Sequence, residues 1–219
     1  MASTYQLTST PPSGDLRWQV LESCERVASA VLLVALSPVL AASAAAVGVL
    51  SGRAPLIAHK RVGWRGEVLW MLKLRTMWGD GCVAGRTRGW VEYIDDVRGP
   101  EEKQEGDPRV GHWFARFCRR HSLDEIPQLW HVVAGQMSLV GPRPMTAVEL
   151  RRHYGLEAGE VLRVKPGIAG LWQVSGRSRL TYRERKLLDL HLIRERSLGL
   201  YLKILWRALP EVWRGANSW

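Results

Sequence analysis

Cysteine is scarce and badly placed for cross-linking: the 219 residues hold three, Cys24, Cys82 and Cys118. An odd number at wide spacing builds neither a disulfide framework nor a zinc site, and points to a reducing compartment. Phenylalanine is nearly missing, with two residues, whereas tryptophan reaches eleven. Trp together with Arg suits a lipid–water boundary, although a Trp-rich core gives the same count. Acidic side chains are outnumbered, 21 against 31 Lys and Arg, which leaves a formal charge of +10. That balance calls for anionic partners: nucleic acid, an acidic membrane face or a phosphorylated substrate. No internal repeat and no nucleic-acid fold signature is present. At 46% hydrophobic and 24% charged the chain is no disordered tail, and its length suits one domain with a small appendage.

What the chain does have is an uncharged run from Val27 to Leu50, bounded by Arg26 and Arg53. As a straight helix it reaches about 36 Å, enough to cross a bilayer core. A cleaved secretory signal is the alternative, because AASAAA resembles a small-residue cleavage site. The residues before it, including Asp15, Glu22 and Glu25, are long and acidic for the leader of such a signal. Pro38 sits in the middle of the run, behind Ser37. An interior proline frees a backbone carbonyl, which in lipid needs a substitute donor such as the neighbouring hydroxyl. Two geometries fit: a kinked helix that spans, or one that breaks at Ser37-Pro38 and leaves by the face it entered. Basic residues on both flanks favour re-entry: Arg17 and Arg26 before, Arg53, Lys60, Arg61 and Arg65 after.

Beyond the run, residues 54–77 alternate apolar and basic, and EVLWMLKLRTM reads as a strand or short amphipathic piece. Residues 78–106, rich in Gly, Arg and Trp, read as a loop-rich insertion. A mostly helical block follows over 107–140, a loop-like stretch over 141–180, and two helices over 181–214, parted near Arg196-Ser197. In the second helix Leu198, Leu202, Leu205 and Leu209 share a face. It either packs in the core or lies at the membrane interface with Trp206 and Trp213 as anchors.

The polar chemistry gathers in RRHSLDEIPQLW, residues 119–130. Ser122 and Glu125 have capping-box spacing, but Pro127 would then fall at the fifth helical position and lose a bond. With Asp124 as the cap, Pro127 lands at the third position, where no intrahelical donor is needed. Either way two adjacent carboxylates stand at a helix start behind Arg116, Arg119 and Arg120. A structural cap explains this pattern. So does an anionic nucleophile with a metal-binding neighbour, set where amides and arginines also grip phosphate.

KLRTM (73–77), DPRV (107–110), RRHSLDEIPQLW, GQMSLVGPRP (135–144) and VKPGIAGLWQVSGRS (164–178) follow one another in a familiar order and spacing. The chain resembles, from about Val20 to Trp213, the bacterial sugar transferase family, the monotopic phosphoglycosyl transferases of exopolysaccharide and glycoprotein glycan assembly. Its length is similar to that of the small members with a single catalytic unit. The resemblance implies a mainly helical α+β fold: a re-entrant membrane helix broken at Ser37-Pro38, and a cytosolic catalytic domain with interfacial amphipathic helices. It divides the chain into a lead-in of residues 1–26, the membrane helix of 27–50 and the catalytic domain of 51–219. It makes Asp124 the covalent nucleophile and ties Glu125 to Mg²⁺ and phosphate, with both carboxylates as metal ligands. Lys73, Arg75, Arg119, Arg143 and Asp189 match substrate-binding positions.

Several positions depart from the family pattern: Ala115 for a glycine, His131 for an asparagine, Gln136 for an aspartate and Tyr201 for another aspartate. None removes the nucleophile, the glutamate, the lysine or the arginine, but Gln136 leaves no carboxylate at its site. The six histidines read as packing or surface residues rather than catalytic bases. The expected activity is transfer of a sugar 1-phosphate, such as glucose or galactose phosphate, from a UDP-sugar to polyprenyl phosphate with release of UMP. It would proceed by ping-pong through an aspartyl intermediate, at the cytoplasmic face of a bacterial inner membrane. Partners are then the UDP-sugar, the lipid phosphate and membrane lipids, with no nucleic acid; a homodimer is left open. The competing class is a basic, membrane-tethered binding module, which has no need of paired carboxylates behind arginines.

Overall fold

The computed structural model describes residues 15–78, 85–95, 110–176 and 179–214, with side chains as far as residue 210. Cys82, Asp107–Arg109 of DPRV, Arg177-Ser178 and the Trp213 side chain lie outside the described residues. The apolar run is the interior of one long helix, α1 (Leu16–Ser51), started by Asp15, whose carboxylate accepts from Arg17 N–H at 3.0 Å, and ended by left-handed Gly52. Helical backbone continues through Pro38, so the segment is one helix rather than two. The carbonyl that Pro38 leaves without a donor is that of Val34, four residues back, and Ser37 Oγ donates to it at 2.7 Å. The expected break is therefore patched rather than open.

Both ends of α1 dock on the same body. Glu25 and Ser29 are buried at one end, Ser43 and Val47 at the other, and residues 30–42 between them include no buried side chain. At the first end Glu25 Oε1 accepts from Ser138 Oγ at 2.6 Å, from Leu139 N–H at 2.9 Å and from the Tyr201 hydroxyl. At the second, Val47 packs with Leu74 and Cys118, flanked by Ala44 and Leu123. Tyr201 thus supplies a donor where a second carboxylate would repel Glu25.

The body is built on a four-stranded sheet in the order β2-β1-β4-β3. Strand β1 (Leu56–Val62) runs antiparallel to β2 (Val68–Leu74), with Ala58 opposite Leu72, and parallel to β4 (Val91–Ile94). Strand β3 (Arg86–Arg88) closes the far edge. The strand expected in EVLWMLKLRTM is β2. The loop reading of 78–106 is corrected over 85–95, where β3 and β4 complete the sheet; residues 79–84 and 96–106 lie outside the described residues.

Helix α2 (Trp113–Arg120) leads into a 3-10 helix (Leu123–Gln128) and α3 (Leu129–Val133), as the helical reading of 107–140 anticipates. Residues 141–180 are less loop-like than their composition suggests. They include α4 (Ala147–Glu149) running into a π-helical turn (Leu150–Tyr154), α5 (Ala158–Val161) and α6 (Leu171–Ser175). They also include strand β6 (Gly167–Ala169), which pairs in parallel with β5 (Ser138–Val140). Gly141 and Gly167 permit this crossing, because a Cβ on Gly167 would lie 2.0 Å from the Gly141 nitrogen. The last two helices are α7 (Tyr182–Arg194), begun by a Thr181–Glu184 capping box, and α8 (Leu198–Arg214). Helix α8 turns Tyr201 and Ile204 into the core, whereas Leu198, Leu202, Trp206 and Leu209 are exposed. Core packing of that leucine face is thereby excluded for three of its four members.

Candidate active site

The SLDE segment is shaped by Ser122 and Pro127. Ser122 adopts a left-handed conformation (φ 54°), rare outside glycine, which turns the chain out of α2. Pro127 has no N–H to give, and the chain closes in a 3-10 helix in which Glu125 N–H reaches Ser122 C=O at 3.0 Å. Neither capping arrangement forms: the Ser122 side chain makes no cap bond, and Asp124 lies inside the helix rather than at its cap.

This helix packs against β2, bringing Lys73 to both carboxylates. Lys73 Nζ is 3.0 Å from Glu125 Oε1 and 4.0 Å from Asp124 Oδ2. Arg143, two residues past the Gly141 crossing, approaches the same Glu125 oxygen at 3.9 Å. Asp124 is partly buried, with its side chain 14% exposed, and burial pushes its carboxyl up to about 6; Glu125 pushes the same way while Lys73 and Arg119 pull it down. The buried Cys118 thiol is raised to about 11, by burial first and then by the Asp124 charge, so it is inert.

Asp189, on α7, is 1% exposed and accepts from Tyr154 Oη at 2.7 Å. Its other oxygen is buried and has no hydrogen-bond partner among the described residues. Burial raises Asp189 to about 7, opposed by the Tyr154 bond and by Arg143. Arg143 thus acts electrostatically on two carboxylate centres. Tyr154 escaped the sequence reading because no motif marks it; only the fold, across 35 residues of chain, sets it on Asp189.

Lys73, Arg119, Arg143 and the two carboxylates therefore share one neighbourhood, and Arg143 also acts on Asp189. Arg75 is a correction. It is 2% exposed, Nε donates to Ala54 C=O at 2.7 Å, and Nη2 is paired with Glu92 on β4. Its guanidinium ties the sheet to the segment after α1 and does not face the site. Ser37 and Pro38 lie in the exposed middle of α1, apart from this chemistry.

Among the described residues no group of three His, Cys, Asp or Glu side chains could cage a metal. The donor set at Asp124 and Glu125 is two hard carboxylates side by side. That fits Mg²⁺, which is held by one or two carboxylates together with substrate phosphates and keeps several waters.

Fold and site together define a class: a mostly helical α+β body carried on one long apolar helix compatible with membrane anchoring, with paired carboxylates set under a lysine and an arginine. A family model described as bacterial sugar transferase matches residues 17–215. The chain belongs to the bacterial sugar transferase family and is an enzyme of it.

A UDP-galactose-lipid carrier transferase of Erwinia amylovora is 38% identical over 162 residues, 74% of this chain and 34% of that protein. The exopolysaccharide production protein ExoY of Sinorhizobium fredii is 35% identical over 189 residues, 85% of this chain and 82% of that protein. An undecaprenyl-phosphate galactose phosphotransferase of Salmonella typhimurium is 36% identical over 169 residues, 74% of this chain and 34% of that protein. The chain spans about a third of the first and third of these relatives and most of ExoY.

Proposed function

We propose that this enzyme transfers a sugar 1-phosphate from a UDP-sugar to undecaprenyl phosphate and releases UMP. The sugar would be a hexose such as glucose or galactose, the latter named for two of the relatives. The observation that carries the reading is the Asp124–Glu125 pair held under Lys73 and Arg143. In the first displacement an Asp124 oxygen bonds to the β-phosphorus, and the bond from that phosphorus to the bridging oxygen breaks, so UMP leaves with the electron pair. In the second, an oxygen of the lipid phosphate bonds to the same phosphorus and the aspartate leaves. One phosphate site then serves a water-soluble donor and a membrane-bound acceptor in turn.

Lys73, Arg119 and Arg143 supply fixed positive charge where the pyrophosphate would sit. Mg²⁺ held by Asp124 and Glu125 with the donor phosphates would, when bound, neutralise charge that otherwise repels the attacking carboxylate. Re-entry of α1 is supported by the docking of both its ends on one body, since a spanning helix carries one end to the far side. In that topology the catalytic domain faces the cytoplasm, and the exposed Leu202, Trp206 and Leu209 of α8 lie in the lipid interface.

The test is UMP release without acceptor. A stoichiometric burst, and a hydroxylamine-labile sugar phosphate mapped to Asp124, are expected for the purified protein with the right UDP-sugar. UMP that appears only after lipid phosphate is added, with no trapped adduct, overturns the covalent step.

A further inference from the structure

Strand β2 is an outer strand of the sheet, so amides on its open side face no neighbouring strand among the described residues. One of them, Leu72 N–H, donates instead to His131 Nε2 at 3.1 Å. The other ring nitrogen, Nδ1, lies 2.7 Å from Gln136 Oε1. The backbone closes the same loop, with Gln136 N–H and Met137 N–H on His131 C=O at 2.8 and 3.0 Å.

Donor and acceptor roles follow from chemistry. An amide N–H only donates, so Nε2 is bare, and Nδ1 then carries the proton that the Gln136 oxygen accepts. Reversing the Gln136 amide would ask both ring nitrogens to accept, which neutral imidazole cannot do. His131 is 5% exposed, and burial lowers its affinity for a second proton, partly offset by the Gln136 bond. The charged groups on the elements packed against α3 are Arg17, Glu22, Glu25 and Arg26 on α1 and Asp124 and Glu125 on the 3-10 helix; on β2, Lys73 follows the bonded Leu72. None of them contributes to that shift.

The residue after Leu72 is Lys73, and α3 begins where the Asp124–Glu125 helix ends. We infer that His131 is a positioning residue: held as its Nδ1–H tautomer by Gln136, it clips the edge amide of Leu72 to α3 and thereby sets Lys73 against Asp124 and Glu125. His131 and Gln136 then act as one pair. The catalytic consequence rests on the transferase reading above; the clip itself does not.

Side-chain geometry separates the two bonds. Glutamine reaches the place of Nε2 and asparagine that of Nδ1. H131Q should therefore keep the Leu72 acceptor and stay within about threefold of wild-type kcat for UMP release. H131N should lose about tenfold in kcat, with the KM for donor little changed, the scale of one lost hydrogen bond. Exchange of the Leu72 amide, read without any substrate, should be about tenfold faster in H131N and unchanged in H131Q. Q136E sets a carboxylate against Nδ1–H and favours the imidazolium, whose Nε2–H then confronts Leu72 N–H. Its kcat should fall between pH 8 and 6 beyond any limb of the wild type, and the H131Q/Q136E double variant should lack that extra limb.

Equal Leu72 exchange in H131N and H131Q, or a wild-type pH profile in Q136E, would overturn the proposal. If the wild type releases UMP from no UDP-sugar, the transferase reading fails, and Leu72 exchange alone decides the clip.

Discussion

Replacing Asp124 by Asn should abolish turnover and stabilise the fold, with a pH signature that reports the cause. Burial raises this carboxyl from 3.8 to about 6. The native state therefore holds the proton more tightly than the unfolded chain does, and ionising Asp124 costs the native state stability. The cost is absent below about pH 4, grows between pH 4 and 6, and is constant above that. A shift of about two pH units corresponds to at most ~3 kcal/mol. Asn has nearly the same volume and no charge, so it removes this cost while leaving the surroundings packed. For a chain of this size ~3 kcal/mol moves the midpoint of thermal unfolding by roughly 5–10 °C. Thermal melts of both proteins in one detergent, from pH 4 to pH 8, should show the Asn variant ahead at pH 8 and level at pH 4. A difference that does not change with pH, or an Asn variant less stable at pH 8, would show that the site does not strain its carboxylate and would refute the reasoning.

Wild-type kcat/KM should fall as pH drops through about 6, because protonated Asp124 cannot attack phosphorus; a limb nearer 4 would mean a well-solvated carboxylate. Glu125→Gln should lower turnover by several orders of magnitude with the fold intact, and excess chelator should stop the reaction; full activity in chelator would leave charge neutralisation to Lys73, Arg119 and Arg143. Tags at residues 1 and 219 should both resist an impermeant reagent in intact cells; a tag at residue 1 that labels from outside refutes re-entry. Tyr201→Phe should cost about 1 kcal/mol by removing one donor from Glu25, and Tyr201→Asp more, since two carboxylates would face each other in a buried site; equal melting of the two variants would contradict that order.

Local pattern was enough for the elements whose cause is local. The apolar run of α1, the strand at 68–74, and the gap between α7 and α8 are all visible as composition or periodicity. So was the Ser37 hydroxyl as the substitute donor beside Pro38, because the freed carbonyl lies one turn back on the same helix. The strands at 86–88 and 91–94 were not visible. The first is three exposed residues with no alternation to read, and the second buries Glu92, a residue that argues against a core position until Arg75 is seen beside it.

The adjacency of Asp124 and Glu125, the proline inside the apolar run and the excess of cations are properties of the chain itself, and they define the kind of chemistry available. Which cation serves that chemistry is not. Lys73 and Arg75 are two residues apart and alike in charge, yet one meets Glu125 across 52 residues and the other is buried against Glu92. Glu25 finds Ser138 across 113 residues, and Tyr154 finds Asp189 across 35. Such pairings form only when sheet, helices and the 3-10 helix pack. The cost of burying an unpartnered charge then sorts near-identical side chains into structural and functional ones.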